Sequence, residues 1–287
     1  MSRRRACLVV PAAPAAKLAK GATLAADEVV VDLEDAVVPA LKDEARGAVV
    51  EALAGAWAAD SVAVRVNAIG SPWCHLDLAA VAASVRDVLT VVLPKVEHTD
   101  DLAFADRLLA GAEAAVGRAT PVRLLALIET AAGLAAAAEI ARASERLDGL
   151  VLGYADLAAS LGRPGGASQD WRYAQENLLV AARAAGIQAI DGPHLATRDD
   201  AAFRAGVMHA RALGFDGKWA IHPAQLDAMR EAFTPTEDEI ADAREVLAEL
   251  ERAAAAGAGA VAAGDRMLDE AIALSARRVL ARADAGR

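Results

Sequence analysis

Eight short runs rich in valine, leucine and isoleucine recur along the chain, and most are followed by a segment with helical periodicity. Near-continuous apolar strands that alternate with amphipathic helices are typical of a parallel sheet buried on both faces. A count of eight favours closure into a (β/α)8 TIM barrel. The predicted strands are residues 6–10, 29–32, 62–66, 91–94, 124–128, 149–152, 188–191 and 218–221.

Several of the intervening segments carry charged residues on one side and alanine or leucine on the other, which is the pattern of surface helices. The clearest predicted helices are residues 42–58, 100–116, 133–144, 170–185 and 199–212.

A helical extension is expected after the eighth strand. Thr236 and Glu239 predict a capping box that begins a helix reaching about residue 255. Glycines then interrupt the pattern, and a last helix is expected from about Met267. The sequence therefore predicts a barrel over residues 1–233 and a C-terminal extension over residues 234–287, which forms a lid or an arm exchanged between subunits.

Composition and charge exclude several functional classes. The net charge of -10 argues against nucleic acid or an anionic membrane as a partner, since both require a clustered basic surface. No stretch is apolar enough to span a bilayer, and prolines break the apolar run that follows the N-terminal arginines, so no signal peptide is predicted. With only Cys7 and Cys74, a disulfide framework is not expected, and the cytoplasm is the predicted location.

Two carboxylates, Glu129 and Asp156, each follow an apolar run and lie one strand-plus-helix unit apart. Residues that leave neighbouring parallel strands at their carboxyl ends converge on one mouth of a barrel. Two carboxylates there suit Mg²⁺, which keeps several positions for water and substrate oxygens. The simpler alternatives are a helix-start carboxylate at Glu129 and an N-cap at Asp156.

A cationic and acidic group accompanies these two residues. Arg65 lies inside a predicted strand, where an unpaired charge would be costly, so it requires an anionic partner. One alternative is an ion pair with the carboxylate of Asp32 or Glu34. The other is a substrate oxygen that the guanidinium of Arg65 binds in a bidentate manner. Asp32, Glu34 and Asp35 in turn need a cation, for which Lys95, Arg65 or metal-bound water would serve. We therefore expect Asp32, Glu34, Asp35 and Lys95 to surround the metal ligands and orient them without binding the metal.

The order and spacing of these segments resemble the family of citrate lyase β-subunits and CoA-ester lyases, which includes malyl-CoA lyases. The resemblance covers nearly the whole chain. It rests on LVVP at 8–11, VDLEDAV at 31–37, VRVN at 64–67, LPKVE at 93–97, LIET at 127–130, GYADLAASLG at 153–162, AIDGP at 189–193, GFDGKWAIHPAQ at 214–225 and GDRMLD at 264–269.

This resemblance implies a Mg²⁺-dependent lyase that cleaves a 3-hydroxyacyl-CoA, such as citryl-, malyl- or citramalyl-CoA, to an acyl-CoA and a 2-oxo acid. It also implies a homotrimer or hexamer. Glu129 and Asp156 match the family's metal ligands, and Glu129 also faces the substrate. Arg65 matches its substrate-binding arginine. Asp269 matches the aspartate that the C-terminal lid brings to the site, and Lys20 matches a basic position that would meet CoA phosphates.

Two positions depart from the family pattern. Val9 replaces an aromatic residue often found in the first strand, and Glu270-Ala271 replaces the proline that often follows the lid aspartate. The second departure affects the path of the lid and therefore bears on Asp269.

Other activities stay open at this point. A metal-dependent pyruvate aldolase would usually carry a histidine after the second strand, where this chain reads Leu33-Glu34-Asp35-Ala36. A malate-synthase or thioesterase activity would use the same Mg²⁺ and enolate chemistry. A non-catalytic structural subunit of a larger lyase complex, or a protein that only binds a CoA metabolite, is the remaining alternative. Whether an acyl-carrier thioester replaces free CoA as the substrate also stays open.

Overall fold

Eight parallel strands close into a barrel in which neighbours follow sequence order, in a computed structural model that describes residues 2–164, 170–263 and 266–284. The predicted (β/α)8 fold is confirmed. The strands are β1 Ala6–Pro11, β2 Glu28–Asp32, β3 Ser61–Arg65, β4 Thr90–Leu93, β5 Arg123–Ile128, β6 Leu147–Leu152, β7 Gln188–Asp191 and β8 Gly217–Ala220.

The connecting segments are mainly helical, and short 3-10 turns lie at Pro39–Leu41 and Pro223–Gln225. The helices are α1 Ala15–Ala22, α2 Lys42–Leu53, α3 Cys74–Ala82, α4 Thr99–Val116, α5 Ala131–Ala135, α6 Ala137–Ile140, α7 Tyr154–Ser160, α8 Arg172–Ala185, α9 Ala201–Leu213, α10 Leu226–Phe233, α11 Glu237–Ala255 and α12 Glu270–Asp284.

Side chains that point inward from the strands fill the interior of the barrel with an apolar core. Such a filled interior is expected for an eight-stranded barrel, which leaves no open channel. Its members are mostly aliphatic, in keeping with the low aromatic content of the chain. They are Cys7, Val30, Ala63, Val92, Leu125, Leu127, Val151, Ile190 and Trp219, with Val9 packed against them.

A buried arginine closes the amino-terminal end of the barrel. Arg4 is 1% exposed, and its Nε donates to Glu28 Oε1 at 2.9 Å. Its two other nitrogens donate to Gln188 Oε1 at 2.6 Å and to Thr90 Oγ1 at 3.0 Å. These partners begin three different strands, so one guanidinium ties β2, β4 and β7 together. Because every donor has a partner, the charge is compensated by hydrogen bonds as well as by the carboxylate.

Two predicted helices have different bounds in the structure. The segment predicted as one helix over residues 133–144 forms α5 and α6, because Ala136 adopts φ -94° and ψ 5°, which interrupts the helix. The helix predicted over 42–58 ends at Leu53, and the indole Nε1 of Trp57 then donates to the carbonyl of Ala52 at 2.9 Å.

The chain divides into two compact units, residues 1–229 and 230–287, whereas the sequence predicts a boundary at 233/234. In the second unit the expected capping box is present: Thr236 Oγ1 accepts from the N–H of Glu239 at 3.2 Å, and Glu239 Oε2 accepts from the N–H of Thr236 at 2.8 Å.

The segment between the last two helices was incompletely predicted. It contains two short antiparallel strands, β9 Val261–Ala263 and β10 Arg266–Leu268. The last helix begins at Glu270, later than the expected Met267, because Met267 pairs with Ala262 in this ribbon. Leu268 packs with apolar residues of α11 and α12, so the ribbon belongs to the core of the second unit.

Both cysteines are free thiols in buried positions. Across the described ranges, no helix combines the length and apolar character needed to cross a membrane.

We expect Gly217→Ala to destabilise the barrel by about 3 kcal/mol or more, because the added Cβ would lie 1.8 Å from the carbonyl oxygen of Arg4. That contact lies between the start of β8 and the segment that leads into β1, the strand with which β8 closes the barrel. Urea unfolding measures the loss. Gly206→Ala is the matched control: it lies in α9 with open space around the new Cβ, and we expect it to raise stability by about 0.5–1 kcal/mol. Equal stability of Gly217→Ala and the unmodified protein would contradict the close approach.

Candidate active site

The polar residues singled out at the ends of the strands lie together at the carboxyl end of the barrel. Asp32 and Arg65 are the last residues of β2 and β3, and Glu129 directly follows β5. Lys95 follows β4, and Asp156 lies in the first turn of α7, after β6. This is the end of a TIM barrel where active sites are found.

Glu129 is held in a tight and nearly dry position. Only 2% of the residue is exposed, and its Oε1 accepts from the backbone N–H of Lys95 at 3.0 Å. A Cβ on Gly153 would lie 2.5 Å from the Cβ of Glu129 and 2.6 Å from its Oε2. Glycine at this position is therefore what lets the backbone after β6 pass beside the carboxylate.

Lys95 has a left-handed backbone conformation, with φ 52°. This conformation is unfavourable for a side chain with a Cβ and persists where the surroundings enforce it. Here it allows one residue to serve two acidic groups: the N–H donates to Glu129, and the ammonium donates to Glu34 Oε1 at 2.6 Å. The ammonium also lies 3.9 Å from Asp156 Oδ1.

The pKa of Glu129 is raised to about 8, primarily because of burial and then because of the negative charges of Glu34 and Asp156. Arg65 and Lys95 act in the opposite direction without restoring the ordinary value. Burial likewise raises the pKa of Glu34, again against the influence of Arg65 and Lys95. The carboxylates at the mouth therefore exceed the positive charge available to balance them.

Arg65 forms an ion pair, which is one of the two alternatives predicted for it above. Its Nε and Nη2 donate to the two oxygens of Asp32 at 2.8 and 2.7 Å, and its Nη1 lies 3.1 Å from Glu34 Oε2. Burial alone would lower the pKa of Arg65, but Asp32 and Glu34 raise it above its ordinary value, so the guanidinium stays charged. Asp35 lies at the edge of this cluster, 4.0 Å from the arginine, and 58% of its side chain is exposed.

A buried lysine in α2 holds the loop that follows β2 in place. Lys42 is 5% exposed, and its ammonium donates to the carbonyl oxygens of Leu33 and Glu34 at 2.7 and 2.6 Å. Asp32 completes the loop by accepting from the N–H of Glu34 at 2.8 Å. Sequence reasoning assigned no role to Lys42, because nothing in its spacing along α2 shows that it reaches carbonyls of the loop.

The donor set fits a hard divalent cation. Within the described part of the chain, no group of three or more His, Cys, Asp or Glu side chains is arranged to hold a metal. Glu129 and Asp156 supply two carboxylates that repel each other, and Mg²⁺ typically binds one or two protein carboxylates with water and substrate oxygens as its other ligands. The pKa of Glu129 is raised mainly by burial and then by the neighbouring carboxylates, so a cation that binds its charged form would relieve an unfavourable charge.

A second buried network lies on the β6–β8 side of the mouth, and sequence reasoning missed it. The hydroxyl of Tyr154 donates to Asp191 Oδ1, and Lys218 Nζ donates to Asp191 Oδ2 at 2.5 Å. Asp191 and Lys218 are 1% and 4% exposed. Burial, followed by the charge of Asp191, raises the pKa of Tyr154, so the phenol keeps its proton and acts as a donor. Asp191 is a strand-end carboxylate in the sequence, but its partners come from segments far apart.

Two further predicted site residues remain: Lys20 lies away from this cluster, and Asp269 belongs to the second compact unit. Lys20 is exposed in the last turn of α1, on the outside of the barrel. Asp269 is exposed and directly precedes α12 in the second unit, where its Oδ1 accepts from the N–H groups of Ala271 and Ile272 at 3.0 and 3.1 Å. Their roles at the site stay predictions.

Proteins of known name are similar to the chain over most of its length. The chain is 38% identical over 285 residues to an L-malyl-CoA/beta-methylmalyl-CoA lyase of Cereibacter sphaeroides, covering 92% of this chain and 90% of that protein. It is 39% identical over 286 residues to the citrate lyase subunit beta of Escherichia coli, covering 98% of this chain and 93% of the subunit.

Solved structures show the same likeness. The CitE protein of Mycobacterium tuberculosis, crystallised with magnesium, acetoacetate and coenzyme A, superposes with a TM-score of 0.78 at 32% identity over 99% of each chain. RipC of Yersinia pestis gives a TM-score of 0.68 at 32% identity, covering 83% of this chain and 99% of that one.

A sequence model of one family, described as HpcH/HpaI aldolase/citrate lyase, matches residues 5–223. That range contains the whole barrel and the strand-end cluster with Glu129 and Asp156. Together with the named lyases, this match confirms the resemblance and the lyase class expected from the motifs. The chain therefore belongs to the HpcH/HpaI aldolase/citrate lyase family.

Proposed function

We propose that this protein is a Mg²⁺-dependent carbon–carbon lyase that cleaves a 3-hydroxyacyl-CoA into an acyl-CoA and a 2-oxo acid. The observation that carries the proposal is Glu129, a buried carboxylate whose pKa is raised by burial and by neighbouring carboxylates, next to the arginine at the end of β3. The relatives named malyl-CoA lyase and citrate lyase subunit beta support a CoA ester as substrate.

Glu129 and Asp156 would hold the cation, and the CitE protein crystallised with magnesium supports its identity. When bound, Mg²⁺ polarises the oxygen of the carbonyl that forms on cleavage. Lys95 lies close enough to Asp156 and Glu34 to balance their charge, so the lysine limits the repulsion around the metal ligands.

Cleavage requires that the substrate hydroxyl lose its proton while the bond between the second and third carbons of the acyl chain breaks. The electron pair of that bond becomes the enolate of the acyl-CoA, and the third carbon becomes the carbonyl of the 2-oxo acid. Arg65, held at the mouth by Asp32, would offer its guanidinium to the growing negative charge on the enolate oxygen. A proton is then added to the second carbon to give the acyl-CoA.

Asp269 and Lys20 complete the proposal. Asp269 would transfer the proton at the second carbon or at the hydroxyl when the C-terminal unit closes over a site, in its own subunit or in a neighbour of a homotrimer or hexamer. Lys20 would meet a phosphate of the CoA. Both residues are exposed, as a group that meets an incoming ligand must be.

Replacing Glu129 by alanine should abolish Mg²⁺-dependent cleavage, lowering kcat/KM by at least about a thousandfold, because one of two metal carboxylates is lost. Citryl-, malyl- and citramalyl-CoA are incubated with and without Mg²⁺, and products are identified by mass spectrometry. Glu139→Ala, at an exposed position of α6, is the control and should keep full activity. Full activity of Glu129→Ala would refute the assignment; free CoA plus an intact acid as products would instead indicate a thioesterase.

Glu129 should destabilise the metal-free protein progressively as pH rises from about 5 to 8. Its folded-state pKa of about 8 lies above the ordinary 4.5, so between these values the folded protein binds a proton that the unfolded chain releases. Glu129→Gln removes this proton uptake. Its Tm relative to the unmodified protein should therefore increase from pH 5 to pH 8, by about 2–4 °C for each kcal/mol.

Scanning calorimetry in a chelator measures this difference. Adding saturating Mg²⁺ at pH 8 provides the control, because only the unmodified protein should then gain stability. A Tm difference that is the same at pH 5 and pH 8 would show that Glu129 does not titrate in this range.

Asp269→Asn should lower kcat by about a hundredfold or more while leaving the Mg²⁺ affinity unchanged, because the aspartate is proposed to move a proton and not to bind the metal. The amide can still accept hydrogen bonds at the start of α12. Steady-state kinetics and calorimetric Mg²⁺ titration measure the two quantities. Glu270→Gln is the matched control, since Glu270 pairs with Arg277 at 2.5 Å on the same helix. An unchanged kcat in Asp269→Asn would exclude the proton-transfer role.

A further inference from the structure

We propose that Tyr154 is a positioning residue for the metal site: its hydroxyl anchors the first turn of α7 to β7 and thereby places the carboxylate of Asp156. The inference rests on the proposed function in that it takes Asp156 as a metal ligand. It adds a set of residues on the β6–β8 side of the mouth that determines metal affinity without touching the metal.

The position of Asp156 depends on the backbone that precedes it. Its side chain is 38% exposed, and the contact made by its carboxylate is the ammonium of Lys95 at 3.9 Å. A group with so little packing around it is placed by its helical turn. That turn begins at Gly153 and contains Tyr154, so whatever fixes these two residues also fixes Asp156.

Close packing fixes the turn from two sides. On one side Gly153 passes so close to Glu129 that an added Cβ would lie 2.5 Å from the Cβ of the glutamate. On the other side the ring of Tyr154 lies against Gly192, where an added Cβ would be 2.8 and 2.9 Å from two ring carbons. Two glycines therefore clamp the start of α7 between the ends of β5 and β7.

Hydrogen bonds hold the ring in this place. The hydroxyl of Tyr154 donates to Asp191 and accepts from Gln175 Nε2 at 2.8 Å, and the ring packs on Trp171 with centroids 5.1 Å apart. Asp191 is fixed in turn by Lys218, which also donates to the carbonyl of Gly192 at 2.5 Å.

This arrangement gives a physical reason for the buried ion pair of Asp191 and Lys218. A buried pair rarely adds net stability compared with apolar side chains, but it specifies orientation. Here the aspartate has one oxygen for the lysine and the other for the tyrosine. The ion pair therefore holds one acceptor oxygen of Asp191 in a fixed direction. Tyr154, whose hydroxyl donates to that oxygen, lies two residues before Asp156, the proposed metal ligand. Groups that hydrogen-bond to a metal ligand typically change metal affinity by 10–100-fold; Tyr154 acts one step further away, through the backbone of its turn, so an effect near the lower end of that range is expected.

The test is Mg²⁺ binding to the full chain, measured by isothermal titration calorimetry without substrate. Tyr154→Phe keeps the ring and removes the hydroxyl, and we expect it to weaken Mg²⁺ binding at least about tenfold. Tyr173→Phe is the matched control, because Tyr173 is the other tyrosine of the chain and is 73% exposed. Its affinity for Mg²⁺ should not change.

A second control separates positioning from general loss of stability. Leu53→Val shortens a buried side chain in the last turn of α2, a helix that ends away from the mouth. It should lower Tm and leave the Mg²⁺ affinity unchanged, whereas Tyr154→Phe should weaken binding at temperatures where circular dichroism shows it fully folded.

The outcomes distinguish this inference from the proposed function. Mg²⁺ binding that is lost in Asp156→Asn and weakened in Tyr154→Phe supports both. Loss in Asp156→Asn with an unchanged affinity in Tyr154→Phe overturns the positioning role alone. An unmodified protein that does not bind Mg²⁺, or an Asp156→Asn variant that binds it normally, overturns the metal site and the inference with it.

Discussion

Negative charge buried at the carboxyl end of the barrel is the constraint on which the rest of the mouth depends. Glu129 is placed where water cannot screen it, beside other carboxylates, and the two nearest cations do not restore its ordinary pKa. Three neighbouring residues accommodate this charge. The backbone of Lys95 is left-handed and directs its N–H at Glu129, Asp32 holds Arg65 in place, and Gly153 leaves room for the carboxylate. A group kept in such surroundings has more affinity for a proton or a metal ion than the same group in water.

The two ends of the barrel differ in how far their buried charges are balanced by opposite charges. At the amino-terminal end each side-chain nitrogen of Arg4 has a partner, and its charge is paired with that of Glu28, whose Oε1 also accepts from the hydroxyl of Ser61. At the carboxyl end the carboxylates outnumber their cations. Residues at the first end are therefore expected to govern stability, and those at the second end to govern ligand binding, which agrees with the division of labour general to this fold.

The sequence predicts the parts of this structure that depend on local pattern and on the strand-end rule. Eight apolar runs yield eight strands, and Glu129, Asp156 and Arg65 fall at one mouth because each follows or ends a strand. The β9–β10 ribbon was missed because its strands are three residues long and carry no alternation that a pattern could detect. Lys42 and Tyr154 were missed for another reason: each acts through partners outside its own helix, and spacing along one helix carries no information about them.

The clamp on α7 would couple the stability of the protein to the metal binding proposed for this site. Gly153 and Gly192 bring the start of α7 close to Glu129 and to the segment after β7, so the turn that carries Asp156 has little room to shift. Burial is the main cause of the raised pKa of Glu129, and repulsion by Glu34 and Asp156 adds to it, so the charged form of Glu129 lowers the free energy of unfolding. A cation that binds both carboxylates removes that repulsion and stabilises the folded protein by RT ln(1 + [Mg²⁺]/Kd). Loosening the clamp would relieve the repulsion without any metal, so part of the drive to bind Mg²⁺ would be lost even with both ligands intact.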